Sequence, residues 1–369
     1  MYLLKHKKYK NKSNDMFILL KQYGGKNMFD KMIIIRELGK GNFGKTYLIE
    51  INNKQYALKK QNITEKDYLS NSSDMTIFLN NELDFYNWIN KLNDDDKQFF
   101  MEMYEYNRYE SNGKYYQDTI VSLKNGTIFS IINELNRNEI ISIFIQIVYA
   151  LDIMHKNGFY HCDSKSDNIG YVNTKEKYIN VGTNKVKSFG KVASLLDYGS
   201  VISKKNIGII DTKYDEQLKV SEMYNIDLWL LIDYLLLNNG YVYLQLGNLG
   251  FLVENIIKII NLLDDKIIDE ILLTMKKDFM FPNIEFFSDF IHNRKNIAGK
   301  IKNKVHKTLC YEFLQILCIL HYDIFIGLLE KVFKVSIIPY DQLFTRDELL
   351  FVKKSYMDMQ KIIDVFLKF

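Results

Sequence analysis

The sequence predicts an α+β fold in two lobes: a basic extension over residues 1–31, a β-rich lobe over 32–123 and a helical lobe over 124–369. Three observations predict it. The chain has 369 residues, more than one ordinary core accommodates. From Met32 to Leu123, short β-branched and aromatic runs are punctuated by glycine and asparagine, the pattern of strands and turns. From Asn138 onward the apolar runs lengthen and take helical spacing.

Composition sets the outer limits. At 47% hydrophobic and 14% aromatic, the chain can bury a large core and is not disordered as a whole. Lys and Arg total 49 against 45 Asp and Glu, and a net charge of +4 is too mild to make nucleic acid the main partner. Only Arg36, Arg108, Arg137, Arg294 and Arg346 are arginines. With much Asn, Ile, Tyr and Phe and two prolines, this is the residue usage of an A/T-rich genome, such as that of a large DNA virus or a protist. Cys162, Cys310 and Cys318 make no disulfide or zinc pattern, which fits an intracellular, cytoplasmic setting (host cell or virion if viral). Cys310 and Cys318 fall in an apolar helical stretch and are expected in the core.

The first 31 residues carry Lys5, Lys7, Lys8, Lys10 and Lys12. They read as a solvated arm, with a docking or nucleic-acid role as the other reading, and Met16 or Met28 as alternative starts. No apolar run long enough for a signal peptide follows the basic residues.

In the β-rich lobe, Ile33-Ile34-Ile35 leads into Gly39-Lys40-Gly41-Asn42-Phe43-Gly44, a second run from Thr46 to Ile51, an Asn52-Asn53 turn and a third run from Gln55 to Lys59. A glycine pattern of this kind serves two phosphate-binding designs. In a dinucleotide fold it opens a helix. Here a β-branched run and a tight turn follow, so it caps a hairpin whose amides come close to phosphate oxygens. Gly39, Lys40, Gly41, Asn42, Phe43, Gly44 and Thr46 are therefore candidate nucleotide-binding residues. On the next strand Ala57 and Lys59 share a face, leaving room for a flat base and aiming an ammonium at phosphates. An acid on a neighbouring helix should hold that lysine. Glu82, in the helix predicted over 75–92, is the choice, with Asp84 as the alternative; Glu65 is too near the strand. Asp94-Asp95-Asp96 reads as a solvated helix end.

Strands are expected over 99–106 and 115–123, a linker over 123–126 whose amides can pair with an adenine edge, and a buried helix over 138–156. The helix delivers the chain to His161-Cys162-Asp163-Ser164-Lys165-Ser166-Asp167-Asn168. An acid, a lysine two residues on and an amide five residues on suit phosphoryl transfer. A strand over 169–172, a polar excursion over 173–191 and a strand over 192–196 lead to Asp197-Tyr198-Gly199, which places a carboxylate at a strand end to bind a metal.

In this order the pieces resemble a eukaryotic-type protein kinase, from about Ile33 to Leu236. The match takes in Gly39-x-Gly41-x-Phe43-Gly44, Ala57-x-Lys59, Glu82, His161-x-Asp163-x-Lys165-x-x-Asn168, Asp197-Tyr198-Gly199 and Asp227-Leu228-Trp229. The resemblance implies the bilobal kinase fold, ATP as donor, Mg²⁺ as cofactor and a protein hydroxyl as acceptor. It makes Asp163 the base, Lys165 the γ-phosphate cation, Asn168 and Asp197 the metal ligands, Lys59 the α/β-phosphate ligand and Glu82 its anchor. Asp227 would brace the loop backbone. Lys165 points to the serine/threonine branch. Tyr198, the Glu-x-x-Phe-Tyr pattern from Glu82 and the lack of Ala-Pro-Glu are similar to the vaccinia-related and casein-kinase-1 group. Two departures stand out. Cys162 replaces the arginine that normally grips a phosphate on the activation segment, so activity should not depend on that phosphorylation. Tyr214-Asp215-Glu216 is the nearest stand-in for Ala-Pro-Glu, with Arg294 a possible partner.

The alternatives are a pseudokinase scaffold and a small-molecule phosphotransferase of the aminoglycoside or choline kinase type. The runs Leu228–Leu246 and Phe313–Phe333 contain charged and polar residues and are read as core helices, since a charge at a bilayer centre costs roughly 2.5–3.5 kcal/mol. Nothing in the sequence sets the oligomeric state or the protein substrate.

Overall fold

The computed structural model describes residues 28–40, 44–70, 75–204, 227–228, 231, 253–279, 284–293, 304–334, 336, 344–355 and 358–368. Within them a β-rich lobe precedes a helical one, as predicted.

Strands β1 (Ile33–Lys40), β2 (Gly44–Ile51) and β3 (Lys54–Ile63) run antiparallel. Asn52 and Asn53 join β2 to β3 with both φ angles positive, the tight turn that Asn tolerates. Helices α1 (Glu65–Leu69), α2 (Ile77–Ile89) and α3 (Asp94–Lys97) follow, then β4 (Met103–Ser111) and β5 (Lys114–Val121). The sheet order is β1-β2-β3-β5-β4. Register places Lys59 opposite Thr46 and Thr119, and Ala57 opposite Leu48 and Val121. One sheet face buries Ile49, Ile51, Leu58 and Ile120; the other gives Ala57, Val121 and Met103 to the main core. All of β1 is solvent-exposed, its isoleucines included.

The acidic run is a solvated helix end, as predicted: it forms the first turn of α3 and is capped by the Asn93 side chain. The strand expected from Phe99 begins only at Met103. Phe99 and Phe100 instead meet the strand Lys191–Leu195 of the other lobe, where Leu195 N–H donates to the Phe99 carbonyl at 2.9 Å.

The linker leads into β6 (Gly126–Thr127), which pairs with Gly170 and Tyr171. Helix α4 (Arg137–Lys156) starts one residue before the predicted Asn138, because Asn136 and Glu139 form a capping box. It is the helix among the described residues long and apolar enough to cross a membrane, and 72% of its apolar window is buried inside the protein. Strands β7 (Phe159–Tyr160), β8 (Ile169–Asn173), β9 (Tyr178–Val181), β10 (Asn184–Lys187), β11 (Lys191–Leu195) and β12 (Ile202–Ser203) complete this region. The predicted polar excursion is therefore a β9–β10 hairpin: Ile179, Val181 and Val186 turn inward while the polar residues between them face out.

The C-terminal helices are α5 (Val253–Leu262), α6 (Asp265–Phe279), α7 (Ile284–His292), α8 (Lys304–Leu320), α9 (Tyr322–Phe333), α10 (Arg346–Lys354) and α11 (Met359–Phe366). The Phe313–Phe333 run is broken at His321 into parts of two helices, and Cys310 and Cys318 are buried there. Helix α11 closes on α4, with Phe366 edge-on to Phe144 at 5.3 Å. The arm over 1–27, Tyr214-Asp215-Glu216, Arg294 and most of Leu228–Leu246 lie outside the described residues.

Candidate active site

Strand alternation aims Lys59 to the face of β3 that looks toward α2. Glu82, on the buried side of α2, meets it: Nζ to Oε1 is 2.8 Å. Asp84 lies on the exposed side and takes no part. Lys59 Nζ also lies 2.9 Å from Asp197 Oδ1. Gln61, two residues along β3, donates to the other Glu82 oxygen at 3.5 Å.

These contacts set the charges. Burial pulls the Lys59 ammonium down, but Glu82 and Asp197 together overcome it and hold it above the ordinary lysine value. Burial pushes the Asp197 carboxyl up, and Lys59 more than reverses this, leaving it below the usual carboxylate range. Asp197 takes φ 53 and ψ 79 at the end of β11, a left-handed conformation uncommon outside glycine.

Of the glycine hairpin, Gly39, Lys40, Gly44 and Thr46 lie on β1 and β2, while Gly41, Asn42 and Phe43 lie outside the described residues. A Cβ on Gly44 would sit 1.8 Å from the Lys60 carbonyl oxygen, so β2 can cross β3 there only as glycine. A Cβ on Gly39 would meet open space, so no packing within the chain demands glycine at that position.

In the loop, Asn168 Nδ2 donates to Asp163 Oδ2 at 2.7 Å and to the Asp163 carbonyl at 2.8 Å. Lys165 Nζ lies 2.9 Å from Asp163 Oδ2. The Asn168 carbonyl accepts Leu196 N–H at 2.8 Å, and Ile169 pairs with Leu195, so the ends carrying Asn168 and Asp197 are side by side. Burial pushes the nearby Asp167 carboxyl up.

Asp227 is fully buried and gathers the loop's backbone. Its Oδ2 accepts His161 N–H at 2.8 Å and its Oδ1 accepts Cys162 N–H at 2.6 Å. Sequence reasoning missed two further partners: His155 Nε2, 2.8 Å from Asp227 Oδ2, and Ser164 Oγ, which donates to the Asp227 carbonyl at 2.6 Å. Two other polar groups were also missed, the Tyr198 hydroxyl and Lys124. The Tyr198 hydroxyl accepts Met101 N–H at 2.6 Å, and Lys124 Nζ donates to the Phe100 carbonyl at 3.2 Å. None of these contacts has a local sequence signal, because each joins segments distant in the chain or depends on backbone atoms.

Among the described residues, no group of three or more His, Cys, Asp and Glu side chains is placed to hold a metal alone. The Asn168 amide oxygen and the second Asp197 oxygen remain as hard donors. That set fits Mg²⁺, which takes one or two protein oxygens and completes its shell with phosphate and water.

Residues 32–205 match the protein kinase domain family, and the β-rich N-terminal region followed by a helical C-terminal one fits the bilobal fold of that family. The match supports a phosphotransferase. Asp227 lies beyond the matched stretch. No curated protein matches the chain.

Proposed function

We propose that the protein kinase domain of this chain is catalytically active and transfers the γ-phosphate of ATP to a serine or threonine hydroxyl of a protein. One observation carries the reading: the Lys59 ammonium is joined at once to Glu82 and Asp197, at 2.8 and 2.9 Å. A buried α2 acid holds the lysine, and the carboxylate two residues past β11 stands beside it, two of the parts that phosphoryl transfer needs.

Lys59 binds the α- and β-phosphates while Glu82 holds its ammonium. Ala57 leaves room for the adenine, the backbone of 123–126 takes its edge, and the hairpin with Gly39, Lys40, Gly44 and Thr46 covers the phosphates. Asn168 and Asp197 hold Mg²⁺, which neutralises charge on the phosphates when bound. Asp163 orients the acceptor hydroxyl and accepts its proton, kept in place by the Asn168 amide. Lys165, already beside Asp163, meets the charge on the transferred group. Lys165 supports the serine/threonine branch. Tyr198 and the Glu82-Leu83-Asp84-Phe85-Tyr86 pattern support the vaccinia-related and casein-kinase-1 group.

The test is labelled ATP with Mg²⁺ and casein, beside Asp163→Asn. Transfer by the wild type and its collapse in the variant support the reading. Nucleotide binding without transfer by the wild type would instead support a pseudokinase. Transfer to small alcohols and never to protein would support a small-molecule phosphotransferase.

A further inference from the structure

We infer that the Tyr198 hydroxyl makes Tyr198 a positioning residue, a clamp that holds Asp197 at Lys59. The inference rests on the proposed role of Asp197 as a metal carboxylate.

Packing alone asks only for a ring at position 198. The ring is fully buried and stands edge-on to Phe85 at 4.6 Å, Tyr86 at 5.2 Å and His161 at 5.8 Å. The hydroxyl adds something the ring cannot. It donates to the Leu195 carbonyl at 2.7 Å and accepts Met101 N–H at 2.6 Å. Most buried hydroxyls have partners, and this one uses its proton and a lone pair on two backbone groups of buried residues.

Those two bonds bracket the backbone that carries the Asp197 carboxylate. The bond from Tyr198 back to Leu195 closes a ring over Leu196 and Asp197. Asp197 is held there at φ 53, a backbone state that persists in a non-glycine residue only when its surroundings over-determine it. The second bond reaches the segment entering β4. Leu195 N–H already donates to Phe99 of the same segment at 2.9 Å, so the strand end and the turn are each fastened to it. That segment belongs to the lobe carrying Lys59 and Glu82. The hydroxyl thereby fixes Asp197 against its ammonium partner across the two lobes. A phenylalanine would keep the ring contacts, open the Leu195–Tyr198 ring and leave Met101 N–H without its acceptor.

The experiment compares wild type with Tyr198→Phe in the full chain. Hydrogen exchange is read over 195–201, at Met101 and in α4, and Mn²⁺ affinity is read by electron paramagnetic resonance with a non-hydrolysable ATP analogue. The clamp predicts exchange over 195–201 and at Met101 about tenfold faster, the scale of one lost buried hydrogen bond, with α4 unchanged. Mn²⁺ affinity should fall about 5- to 20-fold while metal-free nucleotide affinity holds. Unchanged exchange and Mn²⁺ affinity would overturn the inference, as would an equal loss of metal-free nucleotide affinity. A wild type that binds Mn²⁺ and nucleotide but transfers no phosphate would sink the kinase reading alone, since both readouts still decide the clamp. If the wild type binds no Mn²⁺, the metal role of Asp197 fails, and with it the inference.

Discussion

The Cys162 amide donates to Asp227 Oδ1 at 2.6 Å from a backbone in the left-handed region, φ 61. A cysteine pays for that conformation with strain, and the buried carboxylate that accepts its N–H and that of His161 holds it there. Asp227→Ala removes these acceptors together and is expected to destabilise the protein by on the order of 3 kcal/mol. Because the loop carrying Asp163 loses its brace, kcat should fall more steeply than the KM for ATP rises. Urea unfolding and steady-state kinetics check this, and a variant with unchanged kcat would contradict the bracing role.

The contacts of Lys59 give a pH dependence whose sign can be worked out. Asp197 titrates below its ordinary value of 3.8, so the pair contributes stability that is present above that value and lost as pH falls through the lower folded one. The raised Lys59 contributes below the unfolded lysine value of 10.5 and loses this only as pH rises through its higher folded one. Lys59→Met removes both effects and should lower kcat by about 10²–10³. Thermal midpoints followed from pH 6 down to pH 2 should show a steeper acid loss below about pH 3.8 in wild type than in the variant, which has no such contribution to lose. Identical acid limbs would count against the pairing.

Lys124 behaves the opposite way. Burial, only partly offset by Glu102, brings its ammonium down from 10.5 to about 8. The unfolded chain then binds the proton more tightly, so stability should rise as pH increases from about 8 to 10.5, by on the order of 2 kcal/mol. Lys124→Met should flatten this slope in urea titrations at pH 7.5 and 9.5. An equal slope in both proteins would show that Lys124 does not carry it.

Cys162 stands where a phosphate-gripping arginine would be expected, and a thiol cannot form that bidentate pair. Burial, with Asp227 and Asp163 adding to it, also pushes the thiol well above its ordinary value, so it stays neutral. Phosphatase treatment is therefore expected to leave phosphate transfer within about twofold of the untreated enzyme, a margin well under 1 kcal/mol. A large loss would contradict the independence inferred from this residue.

Much of the candidate site was legible because its residues sit at fixed offsets within single elements. Strand alternation placed Ala57 and Lys59 on one face, and Glu82 was legible as an acid within the helix that follows. What escaped were contacts between segments. Tyr198 and Met101 are 97 residues apart, and His155 and Asp227 are 72 apart. The β9–β10 hairpin was hidden by its Lys, Asn and Gly content, although Ile179, Val181 and Val186 carry the inward alternation. The late start of β4 had no local cause either: Phe99 and Phe100 are drawn to Leu195 in the other lobe.

The central claim is that Asp163, held by Asn168 and Lys165, serves phosphoryl transfer. The most direct measurement is the single-turnover rate of γ-phosphate transfer from ATP to casein with Mg²⁺, in wild type and Asp163→Asn. A lost general base predicts a fall of about 10²–10⁴ with ATP affinity retained. Equal rates in the two proteins would contradict the account.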